Sequence, residues 1–429
     1  MNSNQATTDN QVILAFSGGL DTSFCVPYLI DKGYLVTTVF VDSGGVSEEE
    51  KLHIKERALE LGAIEHKEVS IADDLWNRVI TPLIWSGHWY QNQYPLLCSD
   101  RYLIVEACLK FCEEAGHTNF AHGCTGMGND QVRFDLAVHC LGNYNIISPI
   151  REIQQQTAEV REYEKQYLLD KGFSVSDKVS SYSINENLLG TTISGSEIDQ
   201  WLQPDAASYV LTEMPDSSGN QIAKTPSLLT LNFAEGSLTA VNGQQLNDTY
   251  SGKEVMQQLN TMVGEYAIGR NIYTGDTTIG LKGRIVFEAP ALEALNVAHT
   301  ALEQAVLSKA QNRFKSTVAE KWTELVYEGF FYEPLKDDLE AFLKSSQTQV
   351  TGSVTLELSQ GHLYAVAVDS ENILKDKDSV YAQTASWTIE EALGFIKLFG
   401  KSSTLAANQR LEQSNSLSND NLKHDNEST

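Results

Sequence analysis

A short apolar run followed by a loop with two adjacent glycines most constrains the fold of this chain. The run Val12–Phe16 precedes SGGLDTS, residues 17–23, where an apolar periodic segment begins. This order predicts a strand, a loop and a helix. Adjacent glycines let the backbone approach a ligand closely, and the free N–H groups at a helix start bind anions. The stretch therefore predicts a binding site for a phosphate chain.

The loop differs from the two common phosphate-binding motifs. It lacks the lysine that ends a P-loop, and its spacing is not that of the G-x-G-x-x-G dinucleotide turn. It is similar instead to the pyrophosphate loop of ATP enzymes that release pyrophosphate and attach AMP to a substrate. A tight turn after a buried strand is the alternative. The carboxylate of Asp21 needs a magnesium ion or a structural hydrogen bond beside phosphates, which leaves its role open.

The next elements repeat the alternation of strand and helix. Val36–Val41 predicts a second strand, and Ser47 with Glu50 forms a capping box that opens a helix to Leu61. Phe120–Gly123 predicts a further strand. Strands that alternate with helices indicate an α/β domain with a parallel sheet, and ligands bind such sheets at the carboxyl ends of the strands.

A second unusual loop follows the strand at 120–123. Its sequence, HGCTGMGNDQVRF over residues 122–134, has three glycines and then Asn129, Asp130 and Arg133. These side chains donate and accept the hydrogen bonds that a zwitterionic substrate requires, and the guanidinium suits a carboxylate. The alternative is a plain loop before a solvated helix start.

Charge and cysteine usage exclude several classes of function. The chain has 31 basic and 57 acidic residues, a net charge of −26. So negative a surface repels nucleic acid and anionic membranes, and we expect neither as a partner. No run has the length of a membrane span and Met1–Asn10 is polar, so we expect a cytoplasmic protein. The six cysteines form no C-x-x-C pair, which predicts reduced thiols and no metal site.

Composition divides the chain into four parts. We predict a nucleotide-binding domain at 11–172, an α+β domain at 173–370, a C-terminal helical arm at 371–407 and a disordered polar tail at 408–429. The second domain contains two predicted hairpins, 228–242 and 352–368, and a loop rich in serine and asparagine at 176–196. In the arm, Thr388 caps an amphipathic helix that ends at Phe399.

Five segments together resemble argininosuccinate synthase: LAFSGGLDTS, HGCTGMGNDQVRFDL, YSINENLLGTT, GLKGRIVFEAP and ELVYEGFFYEP. The resemblance runs in register over about Val12–Val368. It implies a parallel-sheet domain like that of ATP pyrophosphatases (adenine nucleotide α-hydrolase-like), then an α+β synthetase domain and a C-terminal helix. The implied reaction joins L-citrulline and L-aspartate with ATP and Mg²⁺. Citrulline is adenylated, and the products are argininosuccinate, AMP and pyrophosphate, as in arginine biosynthesis. The resemblance also implies a homotetramer with crossing C-terminal arms and no tightly bound cofactor.

The resemblance assigns roles residue by residue. The implied ATP-binding residues are Ala15, Phe16, Ser17, Gly18, Gly19, Leu20, Asp21, Thr22, Ser23, Val41 and Gly123. The implied aspartate-binding residues are Thr125, Asn129 and Asp130. The implied citrulline-binding positions are Tyr94, Ser99, Asn129, Arg133, Ser183, Thr192, Gly275 and Phe287. Asn129 and Asp130 are the implied catalytic pair, with Asp130 orienting the ammonium of aspartate and helping it to lose a proton.

Two positions depart from the family pattern. Many members carry a glutamate and a tyrosine where this chain has Gly275 and Phe287, and a local backbone shift would let Asp276 replace the glutamate. Two other functions stay open for this reason. One is an adenylating ligase of the same fold with another ureido, amide or carboxylate substrate, and the other is a nucleotide- and amino-acid-binding relative without turnover. Tyr94 as a packing aromatic and Ser99 as a helix cap are the structural alternatives at those positions.

Overall fold

A five-stranded parallel sheet forms the N-terminal part of the computed structural model, which describes residues 10–175, 182–213, 225–381, 383 and 385–426. Its strands are β1 Gln11–Ala15, β2 Leu35–Asp42, β3 Glu65–Ser70, β4 Asn119–Ala121 and β5 Asn145–Ile147. Their order is β3-β2-β1-β4-β5, and every neighbouring pair is parallel. The predicted α/β fold is confirmed. The strand order reverses between β1 and β4, and in such sheets ligands bind beyond the strand ends at that point.

Helices cover both faces of this sheet. They are α1 Leu20–Asp31, α2 Glu48–Glu60, α3 Ala72–Leu75, α4 Thr81–Ser86, α5 Asp100–Ala115, α6 Asn129–Leu141, α7 Pro149–Gln154 and α8 Val160–Asp170. A π-helical turn, Trp76–Ile80, joins α3 to α4. Val12 and Leu14 of β1 pack in one apolar core with Phe24 of α1, whereas Ile13 belongs to the core on the other face with Leu103 of α5. Burial on both faces explains the continuous apolar run of β1.

Two antiparallel sheets follow. Their strands are β6 Ser183–Asn187, β7 Gly190–Ser194, β8 Ser227–Ala234, β9 Ser237–Val241, β10 Gln244–Gln245, β11 Arg270–Asp276, β12 Lys282–Glu288, β13 Gly352–Ser359 and β14 His362–Asp369. One sheet has the order β10-β9-β8-β13-β14 and the other β11-β12-β7-β6. The helices of this part are α9 Ser196–Asp199, α10 Gly252–Gly264, α11 Pro290–Val306, α12 Lys309–Glu328 and α13 Pro334–Ser346. Both predicted hairpins are present. Part of the predicted polar loop, 176–181, lies outside the described residues.

The backbone divides into two compact units, Met1–Ile373 and Leu374–Thr429. The second unit contains α14 Ile389–Phe399 and α15 Lys401–Asn426. Thr388 and Glu391 form the predicted capping box of α14. The predicted disorder from residue 408 differs from the structure, because α15 continues through it to Asn426. The segment contains no glycine or proline that would interrupt the helix.

The described part of the chain contains no helix that combines the length and apolar character of a membrane span. It also contains no group of three or more His, Cys, Asp or Glu side chains arranged to hold a metal ion. All six cysteines have free thiols, and Cys25, Cys98, Cys108 and Cys112 are buried. The prediction of reduced core cysteines therefore holds for these four, whereas Cys140 is exposed.

Candidate functional site

The predicted phosphate loop lies directly between β1 and α1. Gly18 has a φ of +78°, and a Cβ atom there would lie 3.0 Å from Cγ1 of Ile54. Glycine suits both this left-handed backbone and the tight packing. Gly19 is the N-cap of α1 and brings no side-chain cap, so the first N–H groups of the helix face outward. The hydroxyls of Ser17 and Thr22 lie 3.2 Å apart beside them. This combination of donors suits the oxygens of a phosphate chain.

The loop after β4 meets the phosphate loop at the point where the strand order reverses. A Cβ atom on Gly123 would lie 3.1 Å from Cγ2 of Thr22, so the two loops are in contact. Val41 lies near the carboxyl end of the neighbouring strand β2 and is buried. The structure thus brings Gly123 and Val41 to the edge of the sheet that carries SGGLDTS. The nucleotide roles of these residues stay predictions.

Side chains of the loop itself and of the region around α7 hold the second loop by its backbone. Nδ1 of His122 accepts a hydrogen bond from the N–H of Cys124 at 3.1 Å. Ser148 donates to the carbonyl of Cys124 at 3.1 Å, and Gln154 of α7 accepts from the N–H of Gly126 at 2.6 Å. Because donors and acceptors alternate along the loop, its path is fixed before any ligand binds.

The protonation state of His122 follows from its contacts. With Nδ1 as an acceptor, Nε2 donates to Oδ1 of Asp135, 3.1 Å away, and Arg151 makes two hydrogen bonds to the same carboxylate at 2.7 and 2.9 Å. Burial lowers the pKa of the imidazole, which stays neutral at pH 7. Burial opposes ionisation of Asp135, but hydrogen bonds from His122 and Arg151 outweigh it and lower its pKa to about 2. His122 is therefore a fixed support for the loop.

Asp130 lies between two arginines at the start of α6. Nε of Arg101 is 3.2 Å from Oδ2 of Asp130, and Nη1 of Arg133 is 3.0 Å from Oδ1. Burial alone would raise the pKa of Asp130, but the two guanidinium charges outweigh it and hold that pKa below its usual range. The Asp130 side chain is still 41% exposed, so a ligand can reach it. It is a permanently charged carboxylate at the edge of the site.

Arg133 is almost fully buried and keeps one nitrogen free among the described residues. Its Nε donates to the carbonyl of Tyr327 at 3.0 Å, and its guanidinium lies 4.8 Å from the centre of the Tyr327 ring. Nη2 is buried and has no hydrogen-bond partner in the described residues. A buried donor of this kind costs free energy unless a ligand accepts from it. Carboxylates are the groups that pair best with a guanidinium.

An aromatic cluster lines the same region. The ring of Tyr94 lies 5.4 Å from Tyr273, 5.7 Å from Phe287 and 5.9 Å from Tyr327, and Tyr90 stacks on Tyr327 at 3.7 Å. Tyr94 is buried, so its packing role is real. The structure therefore brings Tyr94 and Phe287 together with the residue that contacts Arg133.

The remaining predicted citrulline positions have different surroundings. Thr192 of β7 is paired with Phe287 of β12, and Ser183 lies on the adjacent strand β6. Ser99 is fully buried, and its hydroxyl donates to the carbonyl of Leu96 at 2.8 Å instead of capping α5. Gly275 is buried next to Asp276, whose carboxylate contacts Gln91 and Lys282.

Asp21 faces a second carboxyl group behind the phosphate loop. Glu164 of α8 is fully buried, and burial together with the nearby Asp21 charge raises the pKa of Glu164 to about 8. Burial likewise raises the pKa of Asp21, which is close enough to Glu164 for the two carboxyl groups to affect each other. Neither carboxyl oxygen of Glu164 has a hydrogen-bond partner among the described residues, so the role of Asp21 stays open.

Replacing Glu164 with glutamine is expected to remove a loss of stability at high pH. The folded state keeps a proton that the unfolded state releases above the ordinary pKa of 4.5, so wild-type stability falls as pH rises from there to about 8. Glu164→Gln has no such proton. Relative to that of the wild type, its free energy of unfolding should therefore rise with pH, by ~2 kcal/mol or more at pH 8. Urea unfolding at pH 6, 7 and 8 measures this difference. If the free energies of unfolding of the two proteins differed by the same amount at all three pH values, the result would contradict the raised pKa of Glu164.

The sequence prediction missed several residues at this site. Arg101, Tyr273 and Thr278 had no local signal, because their roles come from contacts with distant segments. Tyr327 lies in ELVYEGFFYEP, a segment that carried the family resemblance, which was the one available indication. His122 and Asp135 flank the predicted loop, and their spacing alone did not reveal their contact.

Comparisons with known proteins agree with this geometry. The family model "Arginosuccinate synthase N-terminal HUP domain" matches residues 11–170, and "Arginosuccinate synthase C-terminal domain" matches residues 182–406. The argininosuccinate synthase of Xanthomonas campestris is 56% identical over 93% of this chain and 99% of its own length. That of Xylella fastidiosa is 54% identical over 93% and 98%, and that of Pyrococcus furiosus 36% over 93% and 94%.

Solved structures give a much weaker match. NMN synthetase from Francisella tularensis aligns with 40% of this chain and 81% of its own at 12% identity, with a TM-score of 0.25, which is too low to bear on function. The two family models together match most of the chain, and the identities above hold over nearly its whole length. The chain belongs to the argininosuccinate synthase family.

Proposed function

We propose an assignment of residues to the reaction of this family. As a member, the protein is a ligase that forms a C–N bond, condensing L-citrulline with L-aspartate at the expense of ATP in arginine biosynthesis. In the assigned mechanism, the ureido oxygen of citrulline attacks the α-phosphate of ATP and releases pyrophosphate. The amine of aspartate then attacks the activated carbon and displaces AMP. Such reactions are accelerated mainly by positioning and by stabilising charge.

We assign the nucleotide to the edge formed by the loops after β1 and β4. The N–H groups at the start of α1 and the hydroxyls of Ser17 and Thr22 bind the phosphate oxygens, and Gly123 admits the chain closely. ATP enters with Mg²⁺ as its counterion, since four phosphate charges need more than backbone donors in a protein of net charge −26. Val41 contacts the adenine side of the site.

The free Nη2 of Arg133 carries the assignment of citrulline. It is a buried donor without a hydrogen-bond partner in the described residues, and the α-carboxylate of citrulline would satisfy it. The aromatic cluster of Tyr94, Phe287 and Tyr327 encloses the aliphatic part of the substrate. Ser183 and Thr192 supply hydroxyls from the adjacent sheet.

We assign aspartate to Thr125, Asn129 and Asp130. Asp130 remains ionised because two arginines hold it, so it attracts the ammonium group of aspartate. A carboxylate with a lowered pKa accepts protons poorly. The geometry therefore supports Asp130 as an orienting charge more strongly than as the base that removes a proton.

The test of the function measures AMP and pyrophosphate release from ATP and Mg²⁺, with citrulline and aspartate each omitted in turn. We expect AMP and argininosuccinate only when both amino acids are present. ATP binding without release of pyrophosphate in any mixture would favour a binding protein without turnover. Release with another ureido, amide or carboxylate compound, but not with citrulline, would favour a different adenylating ligase.

We further propose a cytoplasmic homotetramer whose contacts include α14. This helix presents an exposed apolar face, with Ile389, Leu393, Ile396 and Phe399 each at least 60% exposed. A stripe at spacings of three and four residues on an exposed helix is typical of a surface that another chain covers.

Removing α14 is therefore expected to reduce the oligomeric state. A chain that ends before Ser386 should elute as a smaller species than the full chain, with its mass measured by light scattering. A chain that ends after Ala407 keeps α14 and serves as the matched control, which should retain the full number of subunits. An equal number of subunits in the two truncated chains would contradict a role of α14 in assembly.

A further inference from the structure

We infer that Thr278 is a positioning residue that fixes the amide of Asn129, and that Gln91 holds the turn on which Thr278 lies. The inference rests on the proposed binding of the two amino acids at Asn129. It makes Thr278, on the turn between β11 and β12, part of the amino-acid site.

Thr278 makes two hydrogen bonds to a single atom of Asn129. Its backbone N–H and its hydroxyl both donate to Oδ1 of Asn129, each at 3.1 Å. A backbone N–H can only donate, so the amide oxygen must face Thr278 and the NH₂ group must face the other way. One N–H of that group is directed to the hydroxyl of Tyr327, at 3.4 Å.

The consequence for a substrate is a defined donor. With Oδ1 occupied and one N–H directed to Tyr327, the second N–H of Asn129 remains for a ligand. It lies next to Asp130 and within one helical turn of Arg133, so it suits an amino-acid carboxylate. An amide free to rotate would offer its oxygen to the same carboxylate about as often, which is repulsive. Thr278 removes that orientation.

Gln91 holds the turn through Asp276. Its Nε2 donates to Oδ2 of Asp276 at 2.6 Å, and its Oε1 accepts from the N–H of Asp276 at 3.1 Å. The hydroxyl of Tyr273 lies 3.0 Å from the same Oε1. Lys282 contacts the Asp276 carboxylate across the hairpin. The amide thus connects the segment at Tyr90 to the start of the turn, two residues before Thr278.

Gly275 shows that this arrangement is built into the backbone. A Cβ atom at 275 would lie 2.3 Å from Oε1 of Gln91 and 2.4 Å from the hydroxyl of Tyr273. Any side chain at 275 therefore displaces the two groups that hold the turn. The space that a side chain at 275 would take is filled by Gln91 and by Tyr273 of the same strand.

The first test uses substitutions at Thr278. Thr278→Val keeps the shape and the backbone N–H but loses the hydroxyl, and we expect KM for citrulline or aspartate to rise about two- to tenfold, the loss of one neutral hydrogen bond. KM for ATP should change less than twofold. Thr278→Ser, which restores the hydroxyl, should return both amino-acid KM values to near those of the wild type.

Thr277→Val is the matched control in the same turn. The hydroxyl of Thr277 donates to the carbonyl of Leu281 and not to Asn129, so this variant should keep all three KM values. Unchanged amino-acid KM values in Thr278→Val, an equal rise for ATP, or an equal defect in Thr277→Val would each overturn the inference. Wild-type turnover is measured first, because its absence would contradict the proposed function instead.

A second test examines Gln91 with a compensating pair. Gln91→Glu places a carboxylate against that of Asp276, and we expect the amino-acid KM values to rise about tenfold through repulsion. Adding Asp276→Asn places an amide donor opposite the carboxylate introduced by Gln91→Glu. A double-mutant cycle should then show that most of the increase in the amino-acid KM values is reversed. Wild-type KM values in Gln91→Glu, or losses that simply add in the double variant, would contradict the role of Gln91.

Discussion

Replacing Arg133 with alanine is expected to raise KM for citrulline by about a hundredfold or more, while KM for ATP changes less than about threefold. The free Nη2 of Arg133 is the buried donor that a carboxylate satisfies, and each hydrogen bond to a charged partner contributes ~1.5–3 kcal/mol. Two such bonds from one guanidinium account for this loss. Steady-state kinetics with each substrate varied in turn measures it.

The controls separate binding from folding. Arg133→Lys keeps a charge but cannot replace the fixed fork that contacts Tyr327 and Asp130 together, so it should recover little of the citrulline affinity. Arg78→Ala removes an arginine that pairs with Glu106 in the same domain, outside the assigned site, and should leave KM for citrulline unchanged. Equal increases for ATP and citrulline in Arg133→Ala would rule out the assigned role.

Local sequence chemistry was sufficient to predict the shape of the loop between β1 and α1. Gly18 requires a left-handed φ, and Gly19 leaves the helix start uncapped, so each feature is determined by residues within the loop itself. The parallel sheet could be predicted because strands and helices alternate along the chain from β1 to α2. Strand β3, EHKEVS, was missed because it is a polar edge strand whose pairing with β2 is a tertiary property.

The amino-acid site could be predicted only in part. Asn129, Asp130 and Arg133 lie on one turn of α6, so helical spacing alone brings them together. Their partners come from distant segments, such as Arg101 from α5 and Tyr327 from α12. No pattern within one segment encodes these contacts, because they depend on how the helices pack.

The position at Gly275 illustrates the same limit. From the sequence, the missing glutamate suggested either a loss or a replacement by Asp276 after a backbone shift. In the structure the Asp276 carboxylate is already bound by Gln91 and Lys282, and the space at 275 is filled by Gln91 and Tyr273. The glycine at 275 is therefore part of a different local arrangement. Explaining it required Gln91, a residue far away in the sequence.

A strongly acidic protein whose substrates carry phosphate and carboxylate groups needs local positive charge. Arg101 and Arg133 supply it, and the Asp130 carboxylate between them prevents their mutual repulsion. The same trio suits both ends of a zwitterion, because guanidinium groups attract carboxylates and Asp130 attracts an ammonium. Charge of both signs at one place explains how a net charge of −26 is compatible with these substrates.

Asp130→Asn is expected to reduce argininosuccinate formation by about a thousandfold while citrulline-dependent release of pyrophosphate remains detectable. The amide has the shape of the carboxylate but not its charge, so the aspartate ammonium is no longer attracted, and an Nδ2 donor faces Arg101 or Arg133. Adenylation of citrulline precedes the attack of aspartate and does not need that charge. A single-turnover experiment that follows pyrophosphate and argininosuccinate separately measures both steps.

The pH dependence distinguishes an orienting charge from a proton acceptor at Asp130. Its pKa is lowered, so the carboxylate loses its charge only as pH falls below the usual range of an aspartate, and it remains ionised from there upward. Wild-type argininosuccinate formation should therefore show no acid limb due to Asp130 at pH 6–8, and the ratio of wild-type to Asp130→Asn activity should be constant there. Asp135→Asn, which alters the neighbouring carboxylate that His122 and Arg151 hold, controls for a general effect of charge. If the ratio of wild-type to Asp130→Asn activity rose with pH across this range, Asp130 would instead be a titrating base. If Asp130→Asn lost both pyrophosphate release and argininosuccinate formation, Asp130 would act in the adenylation step.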